Sequence, residues 1–328
     1  MQRKAAAGPA VSVVMPAYRA SGDIGDALDS IVQQTCHDLE VIVVNDGSPD
    51  TDELETALAP YRDRIRYITQ DNRGAGAARN AAIAQARGRY VAFLDADDRW
   101  LPEFLARQVA FLDAHAEVGL VYTDAFVSGE SPLAGRRFME KAPSFGSVTL
   151  ESLIAQRCNI ILSTVVMRRE LLADAGGFDE ALRRGQDFDL WLRLAFRGVR
   201  MAYQRVVLAE RRARADGLSG DSIAEIRRAL NVLQRFATIP GLPPSARTAL
   251  RARMNTLDDS LEIEHAKCRL LEGNFAAARH HLSMPRVRRL KVRLARLGLR
   301  FAPRLLRTIY VRARQPMPVP RPAAARHY

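Results

Sequence analysis

The first hundred residues alternate between short apolar runs and stretches whose apolar positions recur every three or four residues. VSVVMPAY (residues 11–18) and LEVIVVND (39–46) are apolar and β-branched at consecutive positions, the pattern of a strand buried on both faces. Between them, residues 23–34 carry apolar side chains at helical spacing, so 11–46 reads as a βαβ unit. The alternation continues with a helix over 52–59, a strand RIRYIT over 64–69, a helix over 76–86 and a strand YVAFLDADD over 90–98 that ends in acid. Four strands alternating with three helices predict an α/β fold with a doubly wound, mostly parallel sheet. Further on, the pattern predicts a helix over 101–115, a strand over 118–127, a Gly/Pro/Ser-rich loop over 128–147 suited to a lid, and helices over 151–156 and 182–197.

Past about residue 221 the strand patterns stop and helical ones take over, predicting a C-terminal helical extension. Residues 260–282 read as helix, Gly-Asn turn, helix; a single such unit is a plain hairpin, because repeat architectures need about three. Residues 286–314 form a basic amphipathic pattern, with Val287, Leu290, Leu294, Leu297, Phe301, Leu305 and Ile309 at three- and four-residue steps and a kink expected at Pro303. Residues 316–328 are Pro/Ala/Arg-rich and are expected to be disordered. The expected domains are therefore 1–220, a helical hairpin region over 221–284, and a basic helix with its tail over 285–328.

Composition changes this picture in three ways. The chain has 328 residues, 48% apolar and 26% charged, in the range of globular proteins, and no run approaches the roughly 18 apolar residues of a membrane span. The apolar stretch near the start breaks at Pro16 without a small-residue cleavage site, so it is expected to be a first strand rather than a leader. Cys36, Cys158 and Cys268 are scattered, which predicts neither a disulfide framework nor a cysteine metal site and fits a reducing cytoplasm. The net charge of +12 is localised: 13 of the 49 Lys and Arg lie after residue 284, where there is no Asp or Glu, and the other 36 balance 37 acidic residues.

In doubly wound sheets ligands sit beyond the carboxyl ends of the strands. Here those ends are residues 16–18, 45–50, 70–73 and 95–98. Asp95, Asp97 and Asp98 crowd one strand end, and two carboxylates about 4 Å apart repel by several kcal/mol even at an effective dielectric near 20. A hard divalent ion, Mn²⁺ or Mg²⁺, would meet that charge through oxygen ligands; a solvated acidic turn before the next helix would also fit. Asp46 stands in an evident turn, Asn45-Asp46-Gly47-Ser48, yet shares the sheet edge with Asp95, where a carboxylate can accept from a nucleobase N–H or a ribose hydroxyl.

Arg73-Gly74-Ala75-Gly76-Ala77-Ala78-Arg79 is an incomplete dinucleotide fingerprint. It has Arg79 in place of the third glycine and follows the third strand, which argues against NAD. Gly74 and Gly76 can let the backbone approach a nucleotide while a helix N-terminus and Arg79 face phosphate; a salt bridge within the fold is the other role open to Arg79. In GQDFDLWLRL (185–194), Asp187 or Asp189 can be a first-turn acid favoured by the helix dipole or a general base.

VSVVMPAYRA, VIVVNDGSPDTD, NRGAGAARNAAI, YVAFLDADDRWLP and GQDFDLWLRL stand in an order and spacing that resemble the inverting family 2 glycosyltransferases, over about residues 11–219. The resemblance implies a GT-A fold and inverting, metal-dependent transfer of a sugar from a nucleotide-sugar donor, with UDP favoured, to a hydroxyl of a glycan or lipid-linked acceptor in surface polysaccharide or glycolipid synthesis. It places Pro16, Ala17 and Tyr18 beside the nucleoside, Asp46 at the base or ribose, Asp95 and Asp97 at the metal with Asp97 the more direct ligand, Asp187 as catalytic base, and Trp191 beneath the acceptor or in the core. One departure stands out: Arg214 occupies the position where many relatives carry a histidine before a Leu-Ser pair, which leaves the third metal ligand open. Arginine can bind diphosphate oxygens instead.

A nucleotidyltransferase would need a glycine-rich, basic loop directly after the first strand, and Pro16-Ala17-Tyr18-Arg19-Ala20 is not one. A non-catalytic relative that binds through its basic tail would have no need of Asp97 and Asp187. The basic helix over 285–314 suits an anionic membrane surface better than nucleic acid, and predicts a cytoplasmic enzyme peripheral to the inner face of the cell membrane. Packing of its apolar stripe on the hairpin is the alternative.

Overall fold

A computed structural model describes residues 8–131, 134–213, 222–283 and 290–314. The chain runs through β1 (Val11–Ala17), α1 (Ile24–Val32), β2 (Leu39–Asp46), α2 (Thr51–Leu58), β3 (Ile65–Gln70), α3 (Ala75–Gln85) and β4 (Tyr90–Phe93). The alternation predicted for the first hundred residues is thus observed. Next come β5 (Arg99–Trp100), α4 (Phe104–Ala114), β6 (Val118–Gly129), α5 (Leu150–Ile154), β7 (Val165–Arg168), α6 (Glu170–Ala175), α7 (Gln186–Phe196) and β8 (Arg200–Ala213). The remainder is helical: α8 (Ser222–Phe236), α9 (Pro244–Leu271), α10 (Phe275–Ser283), α11 (Leu290–Phe301) and α12 (Pro303–Arg314).

The strands form one eight-stranded sheet among the described residues, in the order β3-β2-β1-β4-β7-β6-β8-β5. β1, β2, β3 and β4 are parallel, whereas β7 is antiparallel to both β4 and β6. Val11, Val13, Val14 and Met15 are fully buried, as the unbroken apolar run of β1 requires of a central strand covered on both faces. α1 presents Ile24, Ala27, Leu28 and Ile31 to this core at helical spacing. The small side chains Ala77, Ala78 and Ala82 of α3 are buried against the sheet and let that helix approach closely.

Register brings the strand ends to one edge. Ala17 pairs with Asn45, Asp46 pairs with Gln70, and β4 leaves the sheet opposite Val14, carrying Asp95 and Asp97 to the level of residues 17 and 45. β8, absent from the sequence expectation, runs parallel to β6 and delivers Arg212 to the same region.

The chain divides into two compact units. The first lies within residues 1–220 together with 231–253; the second lies within 221–230 together with 254–328. Residues 231–253 join the first through Leu233 and Phe236, both buried, an edge-to-face contact of Phe236 with Phe196, and a hydrogen bond from Ser245 to Glu151. In the second, α9 and α10 turn at Gly273 and Asn274, as the hairpin reading expects, and α11 gives way to α12 at Pro303, the expected kink. Ala266, Leu270, Ala278, Leu282, Val292 and Leu299 form its core. No helix among the described residues is long and apolar enough to cross a membrane.

Candidate active site

Asp46 ends β2 and is 2% exposed. Its carboxylate accepts from Gln70 Nε2 at 2.7 Å, from the Arg73 N–H at 2.9 Å and from the Gly74 N–H at 2.7 Å. Three of about four lone-pair positions are therefore taken by the chain itself. These bonds fix residues 71–74 as they enter α3, where Gly74 adopts φ +92°, a conformation that a side chain would strain. Asp46→Ala leaves two backbone donors and an amide unmet, and we expect a loss of about 2–4 kcal/mol of stability, measured by urea unfolding, beside any loss of nucleotide affinity.

Two more contacts join β1 to β2. The Arg19 N–H donates to Ser48 Oγ at 2.6 Å and the Ser21 N–H to Asp50 at 3.1 Å. Burial works against ionisation of Asp50, but the donors of Ser21 and Ser48 outweigh it and hold its carboxyl at about 2. Pro16 is half-buried, Ala17 is fully buried and Tyr18 is 46% exposed at the resulting rim, with the Arg19 guanidinium 5.6 Å from its ring centre. Tyr18 is thus the member of this trio with a face open to a planar ligand.

Arg79, buried in α3, donates to Asp95 at 2.6 Å. Its guanidinium also lies 5.5 Å from the Phe178 ring, while its Nε finds no partner among the described residues. Beyond Asp95, the Asp98 side chain is buried and accepts from the Arg212 N–H at 2.9 Å. Burial, and then the charges of Asp95 and Asp97, push its carboxyl up to about 8, against hydrogen bonds from Ser163 and Arg212. Ser163 also accepts from the Asp95 N–H at 3.2 Å, and its carbonyl accepts from Trp100 Nε1 at 2.7 Å. Neither Ser163 nor β8 is visible as a site element in the sequence; Asp98, read there as one of three crowded carboxylates open to a divalent ion or to solvent, belongs instead to the buried floor.

The donor set fits a hard divalent cation. Asp95 and Asp97 are both partly exposed at the strand end, and their negative charge is concentrated enough to perturb Asp98. Among the described residues no three His, Cys, Asp or Glu side chains converge as a ready-made cage, so these two carboxylates would share the ion with substrate oxygens and water. Arg214, where a third ligand was in question, lies outside the described residues.

α7 supplies the opposite wall. Asp187 is partly buried in its first turn and accepts the Phe188 N–H at 2.8 Å. Burial raises its carboxyl above the ordinary range; the Phe188 N–H and Arg79 oppose this, and the Asp95 charge adds to it. Arg79 is therefore within electrostatic reach of Asp187 while bonded to Asp95. Asp189 is engaged differently. It is 6% exposed and held by Arg193 Nε at 2.7 Å, and Arg193 also ties down the carbonyl of Gly177 at 2.8 Å. Trp191 is 2% exposed, with its ring in the core beneath α7.

The structure thus collects Asp46, Gly74, Arg79, Asp95 and Asp187 around the start of α3. The family model described as glycosyl transferase family 2 matches residues 12–174. EpsE of Bacillus subtilis (strain 168), assigned to the glycosyltransferases, is 32% identical over 199 residues, 59% of this chain and 69% of EpsE. The chain belongs to glycosyltransferase family 2. The chain is also 26% identical to the Escherichia coli UDP-Glc:alpha-D-GlcNAc-diphosphoundecaprenol beta-1,3-glucosyltransferase WfaP, over 68% of this chain and 85% of WfaP. It spans about a third of the length of three Rickettsia glycosyltransferases that it matches at 31%, 28% and 30% identity. Among solved structures, the mannosyltransferase PcManGT of Pyrobaculum calidifontis, in complex with GDP-Man and Mn²⁺, has the same GT-A-type fold. The TM-score is 0.63 at 21% identity, over 93% of this chain and 84% of that one.

Proposed function

We propose that this enzyme is an inverting, metal-dependent transferase. It would move a sugar from a nucleotide-sugar donor, a UDP-sugar by analogy with WfaP, to a hydroxyl of a glycan or lipid-linked acceptor in surface polysaccharide or glycolipid synthesis. The observation that carries the reading is the place of Asp187 within electrostatic reach of the Arg79–Asp95 ion pair: burial raises its carboxyl beside the acidic strand end. Asp187 takes the acceptor proton as the acceptor oxygen forms its bond to the anomeric carbon from the side opposite the nucleotide. The bond from that carbon to the diphosphate oxygen breaks, the diphosphate departs with its electron pair, and the configuration inverts.

Arg79 orients Asp95 and places positive charge near the departing group. Tyr18 offers its exposed ring to the base, beside Pro16 and Ala17, and Asp46 shapes the nucleoside wall by holding residues 73–74. Trp191 supports the acceptor side from beneath, and Arg214 is the further candidate for the diphosphate. Asp97 and Asp95 would hold Mn²⁺ or Mg²⁺, which when bound neutralises diphosphate charge. The enzyme is proposed to work at the inner face of the cell membrane, held there by its basic segment 285–314.

Melting temperature measured with UDP, GDP, CMP and dTDP, each with and without Mn²⁺, tests the donor and the metal together. One nucleotide is expected to stabilise the protein by about 2.7 kcal/mol at a hundredfold excess over Kd, and only with Mn²⁺. An equal shift without Mn²⁺ would remove the metal from the reading; no shift with any nucleotide would remove the donor.

A further inference from the structure

The C-terminal helices carry two apolar faces, not one. On α11 and α12, Val292 and Leu299 are buried in the core of the second unit, with Ala295, Leu306 and Tyr310 packed against it. Gly298 makes the helix pair compact, since a Cβ there would stand 3.3 Å from the Leu306 methyls. The other face is open: Leu294 is 56% exposed, Leu297 52%, Phe301 73%, Leu305 61% and Ile309 56%. With Val311 these make six of the eleven large exposed hydrophobics among the described residues, gathered within residues 294–311. Arg293, Arg300 and Arg304 are exposed beside them, and the Arg300 guanidinium lies 5.3 Å from the Phe301 ring.

We infer that this outer face, Leu294, Leu297, Phe301, Leu305 and Ile309 with its bordering arginines, inserts into the interface of an anionic lipid bilayer while the inner face keeps the helices folded. The inference rests on the membrane attachment proposed above and adds which side chains enter the lipid and that the element is already folded when it docks. Charge selects the occupant. From residue 285 onward there are 13 basic side chains and no acidic one, so the same face of a second copy is repelled, whereas anionic headgroups are attracted. The side chains also suit the role: long arginine stems can lie along apolar surface while their heads reach phosphate.

The full-length enzyme, with Phe301→Trp as reporter, is mixed with phosphatidylglycerol-containing or pure phosphatidylcholine vesicles at low and high salt. Both native tryptophans, Trp100 and Trp191, are buried, so a change in emission reports residue 301. We expect co-sedimentation with anionic vesicles and a blue shift, both reversed by salt. Replacing Leu294, Leu297, Leu305 and Ile309 by serine should lower vesicle partition at least tenfold without altering helical circular dichroism or transfer to a water-soluble acceptor. If the unsubstituted chain ignores anionic vesicles, the membrane attachment itself fails. If it sediments but residue 301 shows no blue shift, and the serine variant binds equally well, attachment is by charge alone and this inference is overturned. Concentration-dependent dimerisation in sedimentation velocity that the serine variant abolishes would assign the face to a second copy, and would also overturn it.

Discussion

Asp187→Asn is expected to lower kcat by a factor on the order of 10² to 10⁴, the usual worth of a positioned general base, while leaving nucleotide affinity nearly unchanged. The amide still accepts the Phe188 N–H, so the first turn of α7 keeps its hydrogen bond, but it cannot take a proton. The pH dependence carries the sign. Burial, with the Asp95 charge, raises the Asp187 carboxyl, so the base is lost as pH falls through a value above the ordinary 4 or so for aspartate. kcat/KM should decline on that acid limb for the unsubstituted enzyme and lose the limb in Asp187→Asn. A carboxyl whose pKa is raised on folding contributes stability that is present at low pH and lost as pH rises through the raised value, so at neutral pH the variant should be at least as stable. Thermal unfolding and a pH–rate profile check both. Asp189→Asn provides the contrast, because it frees Arg193 from its ion pair and should lower stability more than it lowers kcat at fixed folded protein. If Asp189→Asn kept its stability and lost catalysis instead, the two aspartates would have to exchange roles.

What the sequence revealed follows from how local each signal is. β1, β2 and β4 are covered on both faces and so read as unbroken apolar runs, and the acid that ends β2 and follows β4 marks the site edge. β8 did not read as a strand because RMAYQRVVLAERRA mixes long basic side chains with apolar ones in no clean alternation, and its place is fixed by pairing with β6. β5 is two residues long and exists through its pairing with β8. Asp46 looked like a turn residue with a possible ligand; its hold on Arg73 and Gly74 depends on residues 27 and 28 positions away, which spacing along the chain does not reveal. Asp187 and Asp189 are indistinguishable two residues apart until Arg193 claims one of them. The C-terminal stripe was legible as amphipathic, but membrane docking and packing on the hairpin read as alternatives because Val292, Ala295 and Leu299 interleave with Leu294, Leu297 and Phe301. Only the packing of α11 and α12 on α9 and α10 separates the two faces.

Asp97→Asn tests the metal, and its force comes from comparison with Asp95→Asn. Asp95 is bonded to the buried Arg79, so Asp95→Asn weakens a guanidinium's ion pair inside the protein and should cost about 1–3 kcal/mol of stability, a range that allows for the partial exposure of Asp95. Activity lost in that variant would be ambiguous. Asp97 stands partly exposed between Asp95 and buried Asp98, and its charge helps to push the Asp98 carboxyl up, so removing that charge relieves repulsion at the buried floor. The Asp97→Asn protein should therefore lose less stability than Asp95→Asn, which gives up the ion pair with buried Arg79. Its turnover should nevertheless fall by roughly 10³ or more, since several kcal/mol of charge stabilisation at about 1.4 kcal/mol per decade would be lost with the ion. Calorimetric titration should show nucleotide affinity that rises with Mn²⁺ in the unsubstituted enzyme and is indifferent to Mn²⁺ in the variant. EDTA should bring the unsubstituted enzyme down to the level of the variant and leave the variant unchanged. Full activity in EDTA would instead mean that Asp97 serves the donor without a metal, with Arg79 as the principal positive charge near the diphosphate.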